Sequence, residues 1–155
     1  MGYTTNFEGK FKLNKELDED TYNFLIKLAE TRRMKRDVSI LKSMGYEGDY
    51  GVEGEFFVDG AGDFGQDYDE SILDFNRPPK TQPGLWCQWI PTEDRTHIKW
   101  DGGEKFYNYR EWLKYIIDNI LEPRGYFMSG KVTYKGEGYG DFGSIVVKNN
   151  IFIPN

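Results

Sequence analysis

The chain of 155 residues has only one cysteine, Cys87, and only one histidine, His97. A single cysteine excludes a disulfide within the chain, and these two residues cannot supply the ligands of the usual Cys/His zinc sites. No nucleophile elbow surrounds Ser129 or Ser144, and Cys87 is predicted to be a buried, inert thiol on a strand. The residues therefore predict no catalytic group, no metal site and no cofactor, although they leave open whether any catalysis occurs.

Long apolar runs are also missing. No stretch approaches the roughly 18 apolar residues of a membrane-spanning helix, and residues 1–13 lack the apolar centre of a secretion signal. We therefore expect a soluble, cytoplasmic protein without a membrane partner. The length fits one domain over residues 1–155, at about 150 residues per domain. Its 4 Trp, 11 Tyr and 11 Phe predict a largely aromatic core.

Basic residues are absent from one long segment. Between Ser43 and Asn76 there is no Lys, Arg or His, but there are ten Asp and Glu residues. The whole chain has a net charge of -6, so we expect no general affinity for nucleic acid, which requires an excess of Lys and Arg. Five acids of this segment are the candidate partner-binding residues: Asp59, Asp63, Asp67, Asp69 and Glu70.

Several structures are compatible with this acidic segment. It can be a solvated loop, or a face that occupies a basic groove on a partner protein, with electrostatic steering of the encounter. It can also fold back over the preceding cations Arg32, Arg33, Lys35 and Arg36, which we predict at the end of the first helix. An EF-hand is excluded because Ala61 and Phe64 occupy its third and sixth positions. An irregular divalent-cation site remains open, using some of Asp59, Asp63, Asp67 and Asp69.

Hydrophobic periodicity predicts the fold class. Alternation at Phe7, Phe11 and Leu13 indicates a first strand, and apolar stripes predict helices from about Glu19 to Arg36 and after an N-cap at Asn108. The other strands are predicted at 55–58, 71–75, 85–90, 96–100, 104–107, 126–137, 143–148 and 151–153. This order favours an α+β fold, an antiparallel-rich sheet with two helices on one face. Its core resembles a split β-α-β unit with the first strand beside the strand that follows the second helix, and residues 45–84 form an acidic, Gly/Pro-rich insert.

All four tryptophans lie between residues 86 and 112, beside several other aromatic residues. The predicted helices cover only one face of the strands that carry these tryptophans. A tryptophan on the other face therefore either packs against another part of the chain or lines a pocket. Aromatic walls with a few polar groups are typical of small-molecule sites. The candidate ligand-binding residues are Arg77, Gln82, Trp86, Gln88, Trp100, Glu104 and Lys105.

Three motifs carry a resemblance: Asn76-Arg77-Pro78-Pro79, Gln82-Pro83-Gly84-Leu85-Trp86-Cys87-Gln88-Trp89, and Trp100-Asp101-Gly102-Gly103-Glu104-Lys105-Phe106-Tyr107. With them, the chain resembles a family of small uncharacterised proteins of bacteria and their phages. The resemblance implies accessory cargo rather than core metabolism, and it brings no established activity or catalytic residue. The acidic segment is the part that matches this family least.

Together these features predict a non-enzymatic binding protein. The leading interpretation is a phage or mobile-element accessory protein that inhibits a host defence or nucleic-acid-handling protein through an acidic, aromatic-rich surface. The alternatives are a nucleotide-type ligand-binding protein, a modest enzyme that uses the Arg/Gln/Trp pocket, and a structural or oligomerising component. The sequence identifies neither the partner nor the oligomeric state.

Overall fold

The computed structural model describes residues 2–154 of the chain, and Met1 and Asn155 lie outside the description. Six antiparallel strands form one sheet in the order β4-β5-β1-β6-β7-β8. Their bounds are β1 Asn6–Leu13, β4 Trp89–Pro91, β5 His97–Trp100, β6 Met128–Lys135, β7 Phe142–Lys148 and β8 Ile151–Ile153. A second, two-stranded sheet pairs β2 Lys35–Arg36 with β3 Ile72–Asp74. The fold is α+β, as predicted, and β1 lies beside β6, the strand that follows the last long helix.

Three α-helices accompany the sheets: α1 Glu19–Glu30, α2 Val38–Ser43 and α3 Tyr109–Ile116. Helix α1 starts at Asp18, whose carboxylate accepts a hydrogen bond from the backbone N–H of Thr21 at 2.7 Å. Helix α3 continues through a π-helical turn and a 3₁₀ turn to Gly125, whose positive φ of 80° ends the helical segment. No helix within residues 2–154 is both long and apolar enough to span a membrane.

The core lies on one face of the large sheet. Phe11, Trp89 and Val132 point from the strands toward Trp112 and Ile116 of α3, and all five side chains are buried. Since strand side chains alternate, the residues between them point to the other face. That second face is lined by lysines together with polar and apolar residues, most of them exposed or partly exposed. Within residues 2–154 the helices therefore cover one side of the sheet.

The first helix is shorter than predicted. It ends at Glu30, and the basic residues that follow are in extended backbone, not at a helix end. The backbone N–H groups of Arg32, Arg33 and Arg36 donate to the carbonyls of Phe64, Leu85 and Glu53 at 2.8 to 2.9 Å. These long-range bonds replace the i→i−4 bonds that a longer helix would require.

Two predicted strands and one predicted cap are also corrected. Residues 55–58 and 104–107 lie in turns and irregular loops without strand pairing, and the predicted strand at 85–90 is reduced to β4. Asn108 does precede α3, but its side chain donates to the carbonyl of Pro83 at 2.8 Å and makes no capping bond. The predicted strands near 71–75, 96–100, 126–137, 143–148 and 151–153 are confirmed, with shifted ends.

Candidate functional site

A buried polar network joins the acidic insert to the core. The buried Arg33 donates to the carbonyl oxygen of Glu55 at 2.8 Å and to Oε1 of Gln82 at 3.3 Å. The hydroxyl of Tyr115 in α3 donates to the carboxylate of Glu55 at 2.7 Å. Burial lowers the pKa of Arg33 to about 10, and burial together with the hydrogen bond to Glu55 raises the pKa of Tyr115. The insert is therefore attached to the rest of the domain through buried polar side chains.

The chain's own cations neutralise part of the acidic segment. Arg36 is only 2% exposed, and it donates to Asp69 at 3.0 Å and to the hydroxyl of Ser71 at 2.9 Å. Its guanidinium also lies over the ring of Phe57, 4.3 Å from the centroid. Further ion pairs join Lys27 to Asp59, Lys35 to Glu53, and Arg77 to Asp74.

These contacts correct the role of two predicted partner-binding residues. The carboxylates of Asp59 and Asp69 face cations of the same chain, because β2 and the end of α1 lie against the insert. Burial opposes ionisation of Asp69, but hydrogen bonds from Ser71 and Arg36 outweigh it, so the pKa of this carboxyl is below its ordinary value. Asp69 is therefore a structural residue of the insert.

The other three predicted acids stay on the surface. Asp63, Asp67 and Glu70 are exposed, and none of the three belongs to an ion pair within the part of the chain that the structure describes. Between them lie two exposed rings, Phe64 at 63% and Tyr68 at 73%. We name this group of five residues, Asp63, Phe64, Asp67, Tyr68 and Glu70, the acidic–aromatic surface.

Phe64 has an unusual backbone. It lies in a 3₁₀ turn, Asp63–Gly65, with φ 55° and ψ 37°. Bulky residues rarely adopt this left-handed backbone conformation, which is more common for glycine and asparagine. The carbonyl of Phe64 accepts from the N–H of Arg32 at 2.9 Å, and its ring meets the ring of Trp86 edge-on at 6.0 Å. The turn is therefore anchored beneath, while much of the ring remains open to solvent.

Trp86 also lines a groove of about 470 Å³ beside this surface. Its apolar wall includes Pro78, Pro83 and Leu85, and its polar groups come from Arg32, Gln88, Glu104, Lys105, Tyr107 and Asn108. A second depression, of about 400 Å³, continues from Trp86 and Gln88 to Phe64. We name the first of these the Trp86 groove; it adjoins the acidic–aromatic surface through the contact between the rings of Trp86 and Phe64.

The structure brings together four of the seven predicted ligand-binding residues: Trp86, Gln88, Glu104 and Lys105 line the Trp86 groove. Arg77 lies elsewhere, largely exposed and 3.5 Å from Asp74. Gln82 is buried in the network around Arg33. Trp100 packs against Phe7 and donates its indole N–H to Oε1 of Gln88 at 3.1 Å, so it supports a groove residue from behind.

The sequence predicts Lys105 but not the second cation of the groove. Arg32, not Arg77, lines it, and its guanidinium donates to the carbonyl of Phe75 at 3.0 Å and to Asn76 at 3.2 Å. Its ring partner is Phe75, 4.5 Å from the guanidinium carbon to the centroid. Arg32 was assigned to a helix end, and no local pattern indicates that the chain leaves the helix before it.

The other reactive side chains lie away from the groove or are shielded. Cys87 is buried, as predicted, and burial raises the pKa of its thiol to about 12. His97 lies on β5, where partial burial and the nearby Lys10 lower the pKa of its imidazole. Within residues 2–154, no three His, Cys, Asp or Glu side chains are grouped closely enough to hold a metal ion. The exposed carboxylates of the acidic segment are therefore dispersed, whereas the carboxylate of Glu55 is buried.

Comparison with known proteins adds no relative to this description. No protein-family model, no curated protein and no solved structure matches the chain.

Proposed function

We propose that this chain is a binding protein whose acidic–aromatic surface docks into a basic groove on a host protein. The resemblance to small proteins of bacteria and phages supports an accessory role, with inhibition of a host defence or nucleic-acid-handling protein as its concrete form. Such targets lie in the cytoplasm and offer basic grooves for their own substrates, so the proposal places the protein there.

The observation that carries the proposal is the conformation and exposure of Phe64. A left-handed backbone at a bulky residue costs on the order of 1–3 kcal/mol, and such strain is concentrated at functional sites. Here the strained residue holds a large ring 63% exposed between carboxylates, instead of burying it in the core. An aromatic side chain that is exposed at a cost in stability is expected where it contacts a partner.

The composition of the surface fits the energetics of protein interfaces. Aromatic anchors contribute most of the binding energy, whereas surrounding charges mainly steer the encounter and select the partner. Phe64 and Tyr68 supply the anchors, and Asp63, Asp67 and Glu70 supply negative charge around them that has no ion-pair partner among residues 2–154. A partner with Lys or Arg around an apolar pocket complements both features.

The test is affinity capture from host lysate at low and high salt. We expect the wild-type chain to retain a specific basic protein, and the variant D63N/D67N/E70Q to lose it. The matched control E16Q/D20N/E93Q removes the same charge from exposed positions away from the insert and should capture the partner normally. Retention of the partner by D63N/D67N/E70Q at undiminished yield would refute the acidic surface as the contact.

A second function rests on the volume and lining of the Trp86 groove. Its 470 Å³ lies within the range of small-molecule sites, and Trp86 offers a flat face between Arg32 and Lys105. This arrangement suits a planar, anionic ligand such as a nucleotide. A thermal-shift screen with nucleotides is the test, because a ligand at 100 times its Kd adds about 2.7 kcal/mol of stability. The shift should disappear in W86A, and a panel without any shift would exclude this function.

A further inference from the structure

Six lysines lie on the open face of the large sheet. They come from four strands, and all are exposed: Lys10, Lys12, Lys99, Lys131, Lys135 and Lys148. Each alternates with a residue that points toward the helices, so their side chains share the opposite side. We name this group of six residues the lysine face.

The strand register places three of these lysines directly opposite one another. Lys10 of β1 pairs with Lys99 of β5 on one side and with Lys131 of β6 on the other. Adjacent strands lie about 4.8 Å apart, so the three positions form a straight row across the sheet. A second row begins with His97 opposite Lys12. Partial burial lowers the pKa of His97, and the nearby positive charges of Lys10 and Lys12 lower it further.

This arrangement works against stability. Like charges directly opposite each other on neighbouring strands repel, and none of the six lysines has an ion-pair partner within residues 2–154. Glu8 is the acid that shares this face on β1, and it lies opposite Thr133, not opposite a lysine. In a chain with more acids than bases, such unneutralised rows indicate a surface that is neutralised by a partner.

Several groups on this face fit a polynucleotide, although the face also carries one acid and three apolar residues: Glu8, Val146, Ile151 and Ile153. Thr133 and Asn6 are exposed on the same side and can donate hydrogen bonds to phosphate and sugar oxygens. Phe142 of β7 is 70% exposed and lies opposite Lys135, and Tyr139 is fully exposed in the preceding loop. Exposed rings beside a basic sheet surface are the usual platform for stacked, unpaired bases.

We propose that the lysine face binds single-stranded nucleic acid, with the lysine rows on the phosphates and Phe142 and Tyr139 stacked on bases. An open sheet face with exposed aromatic residues on it and beside it favours a single strand over a duplex, whose bases are enclosed in grooves. The net charge of -6 disfavours binding of a polyanion by the chain as a whole. That average conceals a local separation of charge, because ten of the 26 acids and no base lie between Ser43 and Asn76, whereas six lysines share the open sheet face.

The experiment measures fluorescence anisotropy of a labelled oligothymidylate over a salt series. For single strands the slope of log K against log salt changes by about 0.7 for each phosphate contact, so K10Q/K99Q/K131Q should lower it by about 2 and weaken binding on the order of tenfold or more. The control K42Q/K80Q/K114Q removes the same charge from exposed positions outside the sheet and should bind like wild type. F142A should lose roughly 5- to 100-fold in affinity with an unchanged slope.

Each other outcome overturns the proposal. No binding by the wild-type chain at low salt, or equal loss in both triple variants, removes the lysine face as the site. Stronger retention of polyglutamate, of duplex DNA or of phosphatidylserine vesicles than of the oligothymidylate assigns the face to a different partner. K12Q/K135Q/K148Q provides a second variant of the same face, and circular dichroism verifies that each variant is folded. All of these readouts are independent of the protein captured by the acidic–aromatic surface.

Discussion

At the scale of single residues, the acidic segment contains two kinds of carboxylate. Asp69 is partly buried, with 28% of its side chain exposed, and it neutralises Arg36, a buried cation that would otherwise be left without a countercharge. Glu70 is the next residue and lies exposed, without an ion pair among residues 2–154. Adjacent residues of the same charge thus have different roles: one stabilises the insert and the other is available for contact.

We expect D69A to lower the free energy of unfolding by about 1–3 kcal/mol, because the buried guanidinium of Arg36 then loses the carboxylate that accepts its hydrogen bond. The neighbouring variant E70A removes the same charge from an exposed site and should stay within about 0.5 kcal/mol of wild type. Urea denaturation followed by tryptophan fluorescence measures both. Equal effects of the two variants would contradict the structural role of Asp69.

The same pair predicts a pH dependence. The pKa of Asp69 is below its ordinary value of 3.8 in the folded chain, so its contribution is present above that value and is lost as the pH falls through the lowered pKa. The difference in unfolding free energy between wild type and D69A should therefore be constant near neutral pH and shrink below pH 3.8. A difference that grows in acid would mean that Asp69 does not bind Arg36 as a carboxylate.

At the scale of elements, hydrophobic periodicity predicts those strands that are strongly patterned themselves or whose paired strands are close in sequence. The alternation of β1 and the stripe of α3 are visible because burial on one face selects every second or every third to fourth residue. The end of α1 is not visible, because residues 31–36 favour a helix locally. Backbone bonds from Arg32, Arg33 and Arg36 to Phe64, Leu85 and Glu53 stabilise the extended form, and these acceptors are 17 to 52 residues away.

The candidate site was partly predictable for the same reason. Trp86 and Gln88 share a strand-like alternation, so their common groove follows from local pattern. The conformation of Phe64 could not be predicted, since a positive φ at a phenylalanine has no sequence signature. Nor could the lysine face, because Lys10, Lys99 and Lys131 meet only through the pairing of three distant strands.

The sheet gives a prediction of its own. We expect K10E to raise the free energy of unfolding by roughly 0.2–1 kcal/mol for each of its two cross-strand pairs, because repulsion from Lys99 and Lys131 becomes attraction. High salt should abolish the gain, since exposed charges are screened. K42E makes the same charge change on α2. If K42E raised the free energy of unfolding as much as K10E, repulsion within the row of lysines could not be the cause of the gain.

At the scale of the whole molecule, charge is divided between two regions. The insert carries the exposed Asp63, Asp67 and Glu70 together with Phe64 and Tyr68, and the open sheet face carries the lysine rows. Separated charges of opposite sign allow two different partners to be recognised by one small chain, each through steering by its own field. The net charge alone describes neither region.

Site-specific photo-crosslinking in host lysate shows whether the acidic–aromatic surface is the protein-contact surface. A benzophenone amino acid placed at position 64 should form an adduct with one basic host protein, and D63N/D67N/E70Q in the same chain should abolish it. The same probe at position 139, which is also exposed, should give no adduct with that protein. Absence of an adduct from position 64, or the same adduct from position 139, would contradict the account.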